Sequence, residues 1–170
     1  MGKSDRKHCI VHGANGIGTA AEALRSGALA AFPTETVYGL GADATNNTAV
    51  AKIYEAKGRP QFNPLIVHAA DKEALRSLVI WNNYADLLAD AFWPGPLTFV
   101  LPRTADCTVS LLASAGLDTL AVRVPSLDLA RSLLQACECP VAAPSANKSG
   151  HISPTTADHV AGEFGAELSV

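Results

Sequence analysis

The chain contains four apolar stretches that are too short for helices and are closed by prolines. They are "PLIVHA" at 64–69, "LTFVLP" at 97–102, "TLAVRVP" at 119–125 and "PVAAP" at 140–144. Runs of this kind, rich in β-branched residues, read as buried strands. Proline cannot donate to a ladder, so each proline marks a strand boundary. Helical segments separate the strands. The first is Ala20–Ser26, with Gly27 as its C-terminal cap, followed by a strand through Phe32. "TVYGLGAD" continues as a second extended piece. Asn47 or Thr48 caps a helix through Ala56, with Val50, Ile53 and Tyr54 at helical spacing. Asp71 caps "KEALRSLV", a further helix covers about Tyr84–Phe92, and "LDLARSLLQAC" is another. The last begins with Ser153 as N-cap and Pro154 in its first turn. Short strands alternating with helices predict an α/β domain with a mixed, twisted sheet rather than a regular doubly wound one. Polar motifs gather at strand ends, where open α/β sheets place ligands.

The 170 residues suit one domain, and 48% hydrophobic residues can bury a core. A net charge of −3 offers nucleic acid no global attraction, though a local basic patch remains open. The four cysteines, Cys9, Cys107, Cys137 and Cys139, form no C-x-x-C pair. They read as reduced thiols of a cytoplasmic protein. No apolar run approaches the roughly 20 residues of a membrane helix. "MGKSDRKH" lacks a hydrophobic signal core.

Four motifs carry possible chemistry. In "KGRPQFNPL", Lys57 offers a point charge and Arg59 a planar fork of donors suited to phosphate or carboxylate. Pro60 and Pro64 stiffen that loop, so ordering it around an anion costs less entropy. A basic helix end answering the helix dipole is the plainer reading. "FPTETVYGLG" brings hydroxyls and one carboxylate out at a strand junction; taken alone, it is a polar turn with Glu35 solvated. His68 ends the "LIV" run and, taken alone, is a hydrogen-bonded structural histidine. "APSANKSGHISPT" is dense in hydroxyl and amide groups, although Ser145 lacks a nucleophile-elbow setting. Arg123 lies in the otherwise apolar "AVRVP" and needs an anionic partner if buried. "GANGIG" at 13–18 looks like a dinucleotide fingerprint, but its glycine spacing and minimal preceding strand "CIVH" are wrong for one. His8, His12, His151 and His159 show no metal-ligand spacing, and no metal site is expected.

"FPTETVYGLGADA", "KGRPQFNPLIVH", "WPGPLTFVL", "LAVRVP" and "APSANKSGHISPT" occur in the order found in the YrdC family. Over about residues 17 to 165 the chain resembles its threonylcarbamoyl-AMP synthases. The resemblance implies a YrdC-like twisted mixed sheet flanked by helices, with an open concave ligand cleft. Residues 1–16 would form an N-terminal extension and 17–170 the domain. It also implies a reaction in which L-threonine, bicarbonate and ATP, with Mg2+, give threonylcarbamoyl-AMP and pyrophosphate. A separate complex would pass the threonylcarbamoyl group to tRNA. Carried onto this sequence, Thr36, His68, Arg123 and Ser145 would contact threonine. Arg59, Asn63, Thr119, Asn147 and Thr155 would contact ATP, with Lys57 beside them, and Lys57 and Arg59 would carry the catalytic charge. Family members continue with a glycine-rich strand, an S-T-x-x-D stretch and a late arginine, so this chain is expected to be an incomplete catalytic domain of low activity. Two other readings are an RNA-binding module for double-stranded RNA or tRNA, and a carbamoyltransfer domain of the same fold.

Overall fold

The computed structural model describes residue 10, residues 13–165 and residue 168. The strand Thr119–Arg123 (β5) explains how the rest is arranged. Side chains alternate across a strand, so Leu120 and Val122 share one face, while Thr119, Ala121 and Arg123 share the other. Leu120 and Val122 are fully buried, whereas Thr119 and Ala121 are only half-buried. Ile66–His68 (β3) runs parallel to β5, with Ile66 beside Ala121 and His68 beside Arg123. Phe99–Pro102 (β4) lies antiparallel along the other side of β5, with Val100 beside Ala121 and Pro102 beside Thr119. Val141–Ala142 (β6), Gly39–Asp43 (β2) and Ala30–Phe32 (β1) extend the sheet, each antiparallel to its neighbour. The six-stranded order is β1-β2-β6-β3-β5-β4. The mixed sheet expected from the proline-bounded strands is therefore present, with β3–β5 as its parallel pair.

The two faces are covered differently. On the first, Leu40, Val67, Leu120 and Val122 pack with Val50, Ile53 and Tyr54 of the helix Asn47–Lys57 (α2). On the second, Ala30, Phe32, Val141 and Ala143 pack against the helices Gly13–Arg25 (α1) and Asp128–Cys137 (α4). That cover ends near β6. Over β3, β5 and β4 the second face stays open, and Val100 is 66% exposed there. Its floor is Ile66, Ala121, Thr119 and Val100, with His68 and Arg123 at one end.

Several local expectations need correction. α1 begins at Gly13, not Ala20, so "GANGIG" forms the first turns of a helix. Ile17, Ala20, Ala21 and Leu24 make a stripe that packs on α4, and this tertiary contact outweighs the low helix propensity of glycine. Asn46, rather than Asn47 or Thr48, caps α2, accepting from the amides of Thr48 and Ala49 at 3.0 and 3.1 Å. After Asp71 there is only a 3₁₀ turn, Glu73–Leu75. The chain is then drawn onto the end of β4, where Ile80 N–H donates to Pro102 O and Val79 bridges Arg103. The helix Asn83–Phe92 (α3) is where it was expected. The helix Ala157–Phe164 (α5) is capped by Thr156, not Ser153. The preceding residues cannot join that helix, because Pro154 O accepts from Tyr38 N–H at 2.9 Å. Cys9, Val11 and His12 of "CIVH" and the residues following Gly165, apart from 168, lie outside the described residues.

Gly41 lets the Phe32 ring lie across the sheet. A Cβ there would stand 2.8 Å from Phe32 Cε1 and 3.0 Å from Val141 Cγ1. Gly41→Ala is therefore expected to cost about 1–3 kcal/mol of stability through overpacking, measured by denaturant unfolding.

Candidate functional site

Arg123 closes one end of the open half-face. It is 7% exposed, and a guanidinium buried this deeply needs an anion. Glu35 supplies it: Arg123 Nη2 donates to Glu35 Oε1 at 2.6 Å and to Thr36 Oγ1 at 3.3 Å. Glu35 is thus not the solvated turn residue expected from its motif. Burial raises the Glu35 pKa, but the Arg123 hydrogen bond and charge, with backbone amides including that of Ser126, outweigh it and hold the carboxyl below its ordinary value. Thr34 shapes the turn. Its Oγ1 donates to Val37 O at 2.7 Å and accepts from Thr36 N–H at 3.2 Å. The sequence signal for Glu35 was available in Arg123 itself, since an arginine in an apolar strand demands a carboxylate from the protein as well as from any ligand.

His68 lies beside Arg123 and meets the Phe32 ring edge-on, with centroids 6.5 Å apart. Burial lowers its pKa, and the neighbouring Arg123 charge adds to that, to about 4. The ring is neutral at physiological pH. Three buried polar atoms of this cluster have no hydrogen-bond partner: His68 Nδ1, Arg123 Nε and Glu35 Oε2. Buried polar atoms are rarely left unpaired, so three in one cluster point to a ligand.

A second cluster forms where α2 ends. Gly58, at φ 58°, turns the chain out of the helix. Lys57 is 2% exposed, and its Nζ donates to Ser145 O at 2.6 Å and to Asn147 O. Burial lowers its pKa, with the Arg59 charge adding, to about 8. Lys57 therefore ties the 145–147 loop to α2. Ser149 N–H donates to Lys57 O, and Lys148 Nζ to Ala56 O at 2.7 Å. Asn147 Nδ2 donates to the carbonyls of Lys148 and His151, while its buried Oδ1 has no partner. Arg59 spends two donors on its own loop, Nε to Asn63 O at 3.4 Å and Nη2 to Pro64 O at 3.2 Å. Tyr54 Oη braces the same loop against Asn63 O and Leu112 O, each at 3.0 Å.

The segment from Glu35 to Gly39 joins the clusters. Tyr38 O accepts from Ala146 N–H at 2.8 Å, and Gly39 bridges Ser145. Thr155 is exposed and follows Pro154, which is hydrogen-bonded to Tyr38. Thr119 stands apart from Arg123. It is on the same face but at the opposite end of β5, roughly 13 Å away at about 3.3 Å per residue. By register that is the Pro64 end, where Arg59 sits. The described residues contain no group of three or more His, Cys, Asp or Glu able to hold a metal ion. Their cysteines, Cys107, Cys137 and Cys139, are free thiols.

The family model Sua5/YciO/YrdC, described as telomere recombination, matches residues 22–170. The chain belongs to this family. It is 53% identical over 146 residues to the threonylcarbamoyl-AMP synthase of Pyrococcus abyssi, a match covering 85% of this chain and 42% of that protein. It is 37% identical over 157 residues to the threonylcarbamoyl-AMP synthase of Escherichia coli K12, covering 91% of this chain and 82% of that one. The crystal structure of P. abyssi Sua5 complexed with L-threonine superposes with a TM-score of 0.86 at 52% identity, over 89% of this chain and 44% of that one. The chain spans less than half the length of the P. abyssi protein.

The buried neutral His68 gives a pH prediction. Below the ordinary value of 6.5 the unfolded chain takes up this proton, while the folded chain does not until about 4. Between those values the unfolded state binds more protons, so stability falls as pH falls. Ring chemical shifts of His68 are expected to stay those of neutral imidazole from about pH 8 to about pH 5. His68→Gln should flatten the acid limb of the stability profile.

Proposed function

We propose that this chain provides the adenylate-forming site of a threonylcarbamoyl-AMP synthase. The observation that carries the reading is the buried Arg123 with its unpartnered Nε, beside the unpartnered Nδ1 of His68, on the open half of the sheet face. An amino-acid carboxylate would satisfy Arg123. A β-hydroxyl would satisfy His68, whose neutral ring can donate or accept. Thr36 and Ser145 would complete the threonine end. The P. abyssi protein that binds L-threonine shares this fold at high identity, which supports the assignment.

At the other end, Arg59, Asn63, Thr119, Asn147 and Thr155 would receive ATP, with magnesium arriving as part of the MgATP substrate. Bicarbonate and threonine give a carbamate. A carbamate oxygen attacks the α-phosphate, the bond to the pyrophosphate oxygen breaks, and pyrophosphate leaves. The free donors of Arg59 would neutralise charge on the phosphates. Lys57 would act mainly by fixing the loop that carries Ser145 and Asn147, as its bonds to both carbonyls suggest. Catalysis of this kind rests on alignment and charge neutralisation rather than on a covalent intermediate. The product would serve tRNA modification in the cytoplasm through a separate transferase. Among the described residues no helix is long and apolar enough to cross a membrane.

Mass detection of threonylcarbamoyl adenylate, after mixing the chain with MgATP, threonine and bicarbonate, tests the reading directly. No product together with no threonine binding would overturn it. Arg59→Ala is expected to weaken ATP by about tenfold to a hundredfold, the worth of a charged hydrogen bond, with threonine affinity little changed. Serine should bind more weakly than threonine by about 1–3 kcal/mol, the worth of one methyl group. Calorimetry with each ligand measures both.

A further inference from the structure

Glu35 Oε1 is held by Arg123, while Oε2 has no hydrogen-bond partner, although the backbone amides of Glu35 and Ser126 lie close enough to lower the carboxyl's pKa. Oε1 accepts from Arg123 Nη2 at 2.6 Å. Oε2 is buried and has no hydrogen-bond partner, as do the neighbouring Arg123 Nε and His68 Nδ1. The three unpartnered atoms have distinct chemistry. Arg123 Nε can only donate, Glu35 Oε2 can only accept while ionised, and His68 Nδ1 can do either. One acceptor, one donor and one group of either kind is the complement of a zwitterionic β-hydroxy amino acid. Its carboxylate fits the donor, its ammonium the acceptor and its hydroxyl the imidazole.

We propose that Glu35 is the residue that receives the substrate's α-nitrogen, making the site selective for an amino acid over the corresponding hydroxy acid. The inference rests on the threonine reading above and assigns that site a further specificity-determining residue. Glu35 has two roles. In the empty site it is the counter-ion that makes a buried Arg123 tolerable. In the filled site it shares Arg123 with the substrate carboxylate and offers Oε2 to the substrate nitrogen. The ammonium then balances the second carboxylate, so the filled cluster gains no net charge. A carboxylate lacking that nitrogen would bring an unbalanced negative charge next to Glu35. Once the nitrogen is carboxylated it keeps one N–H, so the contact to Oε2 persists and the carbamate is held in a defined orientation.

The test compares L-threonine with (R)-3-hydroxybutyrate, which keeps the carboxylate and the hydroxyl but has hydrogen in place of the amine. Calorimetry on the wild-type chain is expected to show threonine binding at least about tenfold tighter, the range of a charge-assisted hydrogen bond. In Glu35→Gln, threonine should weaken by about tenfold or more while (R)-3-hydroxybutyrate holds or tightens, because a competing anion has left Arg123. A melting curve establishes that the variant is folded. Equal affinity of the two ligands for the wild type overturns the proposal without any variant. So does a folded Glu35→Gln that loses both ligands in the same proportion, which is the signature of a purely structural role. A wild type that binds neither ligand overturns the threonine reading itself, whereas threonine binding with an unchanged preference in the variant overturns only the Glu35 assignment.

Discussion

A guanidinium inside a sheet face has to be answered by a negative charge, and much of the site's shape follows from that demand. Arg123 sits on β5, one strand in from the β4 edge, beside His68 of the parallel β3. Its anion comes from Glu35, on the turn between the two strands at the far edge of the sheet. The ion pair therefore folds the 33–38 turn back over the face. The same turn fixes Tyr38 and Gly39 against the loop of Ser145 and Ala146. One buried charge thus connects the edge hairpin, the β3–β5 pair and the second polar loop. Leaving such a charge unpaired costs several kcal/mol, more than most single packing contacts contribute.

The other device is the uneven cover of the sheet. Alternation places Leu120 and Val122 in the α2 core and leaves Thr119 and Ala121 on the opposite face. α1 and α4 pack mainly over β1, β2 and β6. A floor of Ile66, Ala121, Thr119 and Val100 with charged groups at its ends is what remains. It is a groove formed by incomplete coverage, not a cavity cut into a core.

Most of this architecture could be read from the residues. The proline-bounded strands, the alternation in "TLAVRV" and the isolated arginine gave the sheet and one end of the site. What could not be read was set by contacts distant in sequence. α1 extends through three glycines because Ile17, Ala20 and Leu24 find α4, more than a hundred residues later. The segment after Asp71 loses its helix to hydrogen bonds with the end of β4. Thr156 displaces Ser153 as cap because Pro154 is held by Tyr38. The misreading of Glu35 was of another kind. The demand of Arg123 for an anion is legible in the sequence, but which carboxylate meets it depends on the 33–38 turn folding back over the face.

The neutrality of His68 gives the groove a polarity along its length. Arg123 and Glu35 cancel, and the imidazole carries no charge, so that end presents almost no field to the solvent. The α2 end gathers Lys57, Arg59 and Lys148 close to the carboxylate of Glu163. A polyanion approaching from a distance is drawn toward the α2 end more than toward the Arg123 end, and this attraction fades with ionic strength. A small zwitterion feels little at either end until it makes contact. The two ends of the groove thus differ in the field they present, one gathering positive charge and the other close to neutral.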